Sequence, residues 1–375
     1  MRFETLVVHA GQGPDDSTGA VAPPLHLSTT YARDAQGVPL SGHTYIRDSN
    51  PTQAQLEEAL APLEGGEAAL VFASGMAAGI TLLQTLAPGS HVLFPDDAYY
   101  GFRVAAEEMM PNWGLSADFV PMEDPEAVAA AVRPETRLVW LESPSNPLLK
   151  VADLERLAAL ARQAGALTVV DNTFATPALQ RPLALGADVA LHSTTKYFGG
   201  HSDVQGGALV FARRDGLYEK TLHYRHILGP VGSPFNSWLV LRGIRTLACR
   251  MAAHSAGALA VARALAASPA VAEVFYPGLE THPGHGVARR QMAGGFGGML
   301  SLRVRGGREA ALRAVGRARL FVRATSLGGV ESLIEHRATS EGPASRTPQD
   351  LIRLSIGLEH PDDLIADLDQ ALAGA

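Results

Sequence analysis

The stretch Asp188-Val-Ala-Leu-His-Ser193-Thr-Thr195-Lys196-Tyr-Phe-Gly-Gly-His201-Ser202 decides the reading of this chain. It opens as an apolar strand, turns through hydroxyl and imidazole side chains, places one lysine, and runs into a glycine loop. A lysine at the edge of a buried sheet is desolvated, which lowers its pKa and frees the amine as a nucleophile. Ser193 and Thr195, two residues apart, share one face of an extended segment. Hydroxyls beside such an amine suit a phosphorylated carbonyl compound, and pyridoxal phosphate (PLP) is the candidate. Read alone, the lysine fits a solvated charge at a strand end equally well; the surrounding pattern separates the two.

Working outward, short apolar runs alternate with helical ones. Ala68 to Ala73, His91 to Phe94, Leu138 to Leu141, Leu167 to Val170 and Asp188 to Leu191 read as strands, and Gly206 to Phe211 adds another. Gln53 to Leu63 and Asp153 to Ala164 read as helices. Strands apolar on both faces and spaced by helices predict a mostly parallel central sheet sandwiched by helices, an α/β fold. Residues 1–50 lack strong periodicity and read as an extended N-terminal arm. The alternating unit spans 51–236. From 237 the pattern becomes a smaller C-terminal α+β domain, 237–375. There, one long alanine-rich helix is expected over Ser237 to Ala267, followed by strands at Val271 to Phe275, Met299 to Val304 and Leu351 to Ile356.

Composition excludes several classes. The 375 residues carry 38 acids against 31 bases, a net charge of −7, without the clustered cations of a nucleic-acid surface. A single cysteine, Cys249, rules out an intramolecular disulfide framework and any multi-cysteine metal site; it reads as a small buried residue of a helix. No apolar run approaches the roughly 20 residues needed to span a membrane, and the first residues do not read as a signal peptide. The expectation is a soluble, cytoplasmic enzyme. Neither a Gly-x-Gly-x-x-Gly nucleotide fingerprint nor a P-loop is present.

Ligands of open parallel sheets bind beyond the carboxyl ends of the strands, and several polar residues fall there. Ser74-Gly75-Met76 follows one strand and begins a helix, where close backbone approach and free N–H groups attract an anion; a plain tight turn is the other reading. Asp171 ends an apolar run and needs a partner. A protonated pyridine nitrogen would be one, and a helix N-cap is the alternative. Asn146 ends the preceding strand. Tyr99 and Tyr100 follow another, and one of them suits stacking on a flat ring. Arg353 alternates with apolar residues on a strand and offers a rigid fork to a carboxylate, or to a structural ion pair.

Together these residues carry a resemblance. The chain resembles the γ-subfamily of fold-type-I, aminotransferase-like PLP enzymes that handle sulfur amino acids. The run Asp188 to Ser202 fits that family's lysine signature. Tyr45-Ile-Arg47-Asp-Ser-Asn50-Pro51-Thr52 is similar to its Tyr-x-Arg-x-x-Asn-Pro-Thr segment, and Ser326-Leu-Gly-Gly-Val-Glu331 to its Ser-Leu-Gly-Gly-x-Glu segment. The resemblance implies that Lys196 holds PLP as a Schiff base and shuttles protons. It implies that Asp171 pairs with the pyridine nitrogen, that Gly75, Met76, Ser193 and Thr195 bind the phosphate, and that Tyr99 stacks on the ring. It further implies that Asn146, Ser326 and Arg353 hold the α-carboxylate of an amino-acid substrate. Tyr45 and Arg47 would serve a neighbouring subunit's site, within a homotetramer of two active-site-sharing dimers.

The expected reaction is elimination or replacement at the γ-carbon. Glu331, suited to the distal amino group of cystathionine, and Arg103, suited to its distal carboxylate, incline the reading to a cystathionine γ-lyase. Cystathionine γ-synthase follows, then methionine γ-lyase or cystathionine β-lyase. The chain departs from the family pattern in four places. Tyr99-Tyr100-Gly101-Phe102 replaces Tyr-Gly-Gly-Thr, Arg103 aligns only across a one-residue gap, Arg337 stands where a proline usually follows Glu-His, and Asp48-Ser49 is atypical of the arm.

Overall fold

The computed structural model describes residues 1–343 and 345–373. Seven strands form the larger sheet: β1 (Ala68–Phe72), β2 (His91–Pro95), β3 (Ser116–Val120), β4 (Thr136–Glu142), β5 (Leu167–Asp171), β6 (Val189–His192) and β7 (Gly207–Phe211). Their order is β1-β7-β6-β5-β4-β2-β3. Only β7 runs antiparallel to its neighbours, so the sheet is mostly parallel, as its apolar strands predict. Every residue of β1, β2, β6 and β7 is buried, because helices cover both faces. Each large side chain buried there, such as Leu70, Phe72 or Phe94, contributes roughly 1.5–3 kcal/mol.

A second sheet of five strands has the order β10-β11-β12-β9-β8, from β8 (Val271–Phe275), β9 (Met299–Val304), β10 (Val322–Arg323), β11 (Leu333–His336) and β12 (Leu351–Ser355). It is antiparallel apart from the short β10–β11 pair. The first sheet draws only on residues 68–211 and the second only on 271–355. We propose the division 1–50, 51–236 and 237–375 on that ground.

Several expectations need correction. The arm is not wholly irregular: Phe3–His9 is a helix that buries Val7. Strands β3, β10 and β11 had no clear sequence signal. β3 is an exposed-to-half-buried edge, and β11 buries a glutamate and a histidine, Glu335 and His336. The long helix is two, Pro234–Ile244 and Leu247–Ala267. Around their junction the buried Arg250 donates to the carbonyls of Tyr197 and Gly243, each at 2.7 Å, and so braces the lysine loop. Cys249 lies on the second of these helices but is exposed, not buried, because Arg250 and Met251 take the inward face. No helix among the described residues is long and apolar enough to cross a membrane.

Candidate active site

The carboxyl ends of β1, β2, β4, β5 and β6 converge on one cavity of about 200 Å³. Parallel strands place their carboxyl ends on one edge, so residues far apart in sequence meet there. Ser74, Gly75 and Met76 come from the end of β1, Tyr99 from beyond β2, Glu142 and Asn146 from β4, Asp171 and Thr173 from β5, and Ser193, Thr195 and Lys196 from beyond β6.

Lys196 Nζ donates to Ser326 Oγ at 2.6 Å. Burial, then the charges of Arg353 and Arg337, lower its pKa to about 8. The amine is still mostly protonated near neutral pH, but its free form, the nucleophile, is far more populated than in an exposed lysine. Ser326 holds a left-handed backbone, φ 81°, a conformation that non-glycine residues adopt only under constraint. That conformation lets Ser326 face two ways: its hydroxyl meets Lys196 while its carbonyl accepts from Arg353 Nη2 at 3.0 Å. Arg353 Nη1 donates to Asn146 Oδ1 at 2.8 Å. Lys196, Ser326, Arg353 and Asn146 thus form one hydrogen-bonded chain across the two sheets.

Arg353 also pairs with Glu335, its register partner on β11, and Glu335 meets Arg337 at 3.3 Å. Burial pulls the Arg353 guanidinium down to about 10. The sequence reading missed Glu335 because a glutamate inside a four-residue run carries no signal of its partner on another strand.

Asp171 accepts from the backbone N–H of Thr173 at 3.0 Å, and burial holds its carboxyl above the ordinary range. Glu142 lies in register with it on β4 and accepts from Tyr99 N at 3.1 Å. Burial and then Asp171 push Glu142 well above the ordinary value. Two acids this close in a dry site cannot both ionise freely. Glu142 was passed over because strand-end polarity alone does not pick it from its neighbours.

Tyr99, 39% exposed, lines this cavity, whereas Tyr100 turns to a second one. Of the two tyrosines, Tyr99 is the one that shares a cavity with Lys196. Gly75 begins the helix Gly75–Leu83, and a Cβ there would stand 3.0 Å from Ser193 Cβ, so the glycine keeps the helix start against Ser193. The Thr195 hydroxyl donates to the carbonyl of Gly206 at 3.1 Å and accepts from its N–H at 3.0 Å.

Six of the sequence candidates do not line this cavity: Ser326 and Arg353, which are tied to it only through Lys196 and Asn146, and Tyr45, Arg47, Glu331 and Arg103. Tyr45 and Arg47 lie on the arm, where Arg47 Nη1 donates to the carbonyl of His226 at 3.3 Å. Asn50 of the same motif caps the helix Pro51–Glu64, accepting from Thr52 N at 2.9 Å, and donates to the carbonyl of His26 at 2.9 Å. Glu331 bonds the Ser202 hydroxyl. Arg103 donates to the Asp96 carbonyl and lies 4.0 Å over the Phe119 ring, because the helix Tyr100–Val104 carries it away from Tyr99.

This edge of a mostly parallel sheet, with its desolvated lysine and buried carboxylate, defines a class of PLP-dependent enzymes. The chain belongs to the Cys/Met metabolism PLP-dependent enzyme family, whose model matches residues 4–373. It is 50% identical to the cystathionine gamma-synthase of Mycobacterium tuberculosis over 98% of this chain and 96% of that one. It is 43% identical to the cystathionine beta-lyase of Coxiella burnetii over 99% and 97%. The crystal structure of metB from Corynebacterium glutamicum superimposes with a TM-score of 0.97 at 44% identity, covering 100% of this chain and 98% of that one. The cofactor of the family is PLP, and the cavity fits it: an amine at one wall, a buried carboxylate at another, and a helix start pressed against Ser193 that leaves N–H groups for a phosphate.

Proposed function

We propose that this chain is a cystathionine γ-synthase, joining the γ-carbon of an O-acylhomoserine to the sulfur of cysteine and releasing the acyl group as a carboxylate. The observation that carries the reading is the chain Lys196–Ser326–Arg353–Asn146, which sets a nucleophilic amine beside a carboxylate-binding fork. The name of the 50%-identical relative supports the synthase. Glu331 and Arg103 had inclined the sequence reading to a γ-lyase, but the named relatives are a γ-synthase and a β-lyase, and these support the synthase in its place. A β-lyase is the second reading, favoured by the name of the 43%-identical relative.

Bound PLP supplies the electron sink for charge developing at the substrate's α- and β-carbons. In this reading Lys196 Nζ holds the cofactor and then carries protons at those two carbons, guided by the Ser326 hydroxyl. Asp171 faces the pyridine nitrogen, Tyr99 covers the ring, and Gly75, Met76, Ser193 and Thr195 take the phosphate. Arg353, aligned by Asn146 and the Ser326 carbonyl, takes the α-carboxylate. Tyr45, 42% exposed on the arm, and Arg47 complete the site of a second copy in an active-site-sharing dimer, two of which make a tetramer.

The test is product analysis with purified holoenzyme. O-succinylhomoserine or O-acetylhomoserine with cysteine should yield cystathionine at higher kcat/KM than cystathionine yields any keto acid. Faster release of 2-oxobutanoate from cystathionine restores the γ-lyase, and faster release of pyruvate establishes the β-lyase.

A further inference from the structure

Side chains alternate along a strand. Asp171 and Thr173, like Leu191 and Ser193, face the first cavity. The residues between them, Asn172 and His192, point the other way and are wholly buried, each 0% exposed. Both meet one acid. Glu64, the last residue of the helix Pro51–Glu64, is itself buried. Its Oε1 accepts from His192 Nε2 at 2.6 Å and from Asn172 Nδ2 at 2.8 Å. One carboxylate oxygen therefore joins the residue after Asp171 to the residue before Ser193.

The network continues to a third strand end. Gln180 Nε2 donates to Asn172 Oδ1 at 3.0 Å and to the carbonyl of Ser143, just past β4, at 2.8 Å. The Gln180 carbonyl accepts from Asn172 Nδ2 at 2.9 Å, so the Asn172 amide is fully engaged. The His192 ring also stands edge-on to Phe198 of the lysine loop, with centroids 4.8 Å apart. Stability alone does not account for this arrangement. Glu64 Oε2 and His192 Nδ1 are buried without a hydrogen-bond partner among the described residues. Apolar side chains of the same size would cost the fold less. What the pair supplies is geometry, since a site works when its groups are held to within about 0.5 Å by locked neighbours.

We propose that Glu64 is a positioning residue: from behind the sheet it pins the ends of β5 and β6 together and so sets the span between Asp171 and the pair Ser193 and Lys196, across which PLP is held. This role rests on the reading of those three residues as PLP contacts.

Two variants of the holoenzyme test it. Glu64→Leu removes the acceptor at similar volume, and Glu64→Gln keeps it. In Glu64→Leu the dissociation constant for PLP should rise roughly tenfold, the value of a charge-assisted contact. Amide hydrogen exchange should quicken at Asn172 and Ser193, whose N–H groups bond Leu191 O and Thr173 Oγ1 across the two strand ends, each at 2.9 Å. Exchange in β1 should stay as in the wild type, and Glu64→Gln should match the wild type in both measurements. Wild-type exchange in Glu64→Leu, faster exchange throughout the sheet, or a Glu64→Gln as impaired as Glu64→Leu overturns the proposal. Asp171→Ala and Ser193→Ala are the controls. If they weaken PLP binding and Glu64→Leu does not, the positioning role fails. If neither weakens it, the PLP contacts were misassigned, and exchange at the two strand ends alone decides whether Glu64 pins them. Should Glu64→Leu not fold, Glu64→Asp, which draws the acceptor back by one methylene, takes its place with the same readouts.

Discussion

The two cavities that meet at Asn146 are walled by different kinds of structure. The first is built on the ends of five strands of the larger sheet, with Ser326 from the smaller domain closing on Lys196. The second is built on the end of β2, the short helix Tyr100–Val104 and the helical turn after it, the loop 146–150, Glu341, and residues 345–347. Strands fix side chains through a shared ladder, whereas loops tolerate change and carry selectivity. The chain departs from its family's pattern at Tyr100, which lines the second cavity, at Phe102, which lines the first, and at Arg337, which bonds Glu341 of the second. In the proposed reading the chemistry belongs to the first chamber, whose strand-end residues keep the family pattern at Lys196, Asp171 and Ser193.

The sharpest way to break that division is at Lys196. Lys196→Ala should lower turnover by roughly 10³-fold or more with every substrate pair, together with loss of the bound cofactor's visible absorption. A Lys196→Ala enzyme that keeps normal turnover would leave the first cavity without its assigned chemistry.

A smaller effect is expected from the arm. Arg47→Ala should weaken PLP retention by roughly tenfold, the value of one charge-assisted contact, with the oligomer intact by light scattering. Unchanged cofactor affinity would remove the arm from the site and leave both cavities to a single chain.

The smallest effect sets the two cavities against each other by pH. Burial lowers Lys196 from 10.5 to about 8. In cofactor-free protein the unfolded chain then binds more protons between those values, so stability rises with pH across that window. Burial raises Asp97, in the second cavity, from 3.8 to about 6. There the folded state holds the extra proton, so stability falls as pH climbs from 3.8 to 6. Denaturant melts should show Lys196→Met losing the rise and Asp97→Asn losing the fall, each on the order of 1 kcal/mol after solvent screening. Parallel curves for wild type and variant would mean that the group in question is well solvated in the folded chain.

Much of the site was legible because its residues sit at the ends of apolar runs. A run buried on both faces announces itself in composition, and a polar residue at its end stands out. Lys196, Asp171, Asn146 and Ser193 were found that way, and the structure gathers them around one cavity. Glu142 and Glu335 escaped for the opposite reason: each is a charged residue inside or closing a buried strand, and its meaning lies in a neighbour on another strand. The break between Ile244 and Leu247 was equally silent, since an alanine-rich sequence gives no sign that Arg250 must turn in to hold the lysine loop.

Taken alone, the order of residues along the chain determined the alternation of strand and helix, the lysine proposed to carry the chemistry, and the family to which the chain belongs, because local burial and turn preferences are written into short stretches. Only the tertiary structure decided that Tyr99 and not Tyr100 faces Lys196, that Arg103 swings away, and that Ser326 closes on the amine from 130 residues downstream. Those outcomes depend on helix phase and on packing between separate sheets, and such contacts arise only when distant segments are brought together.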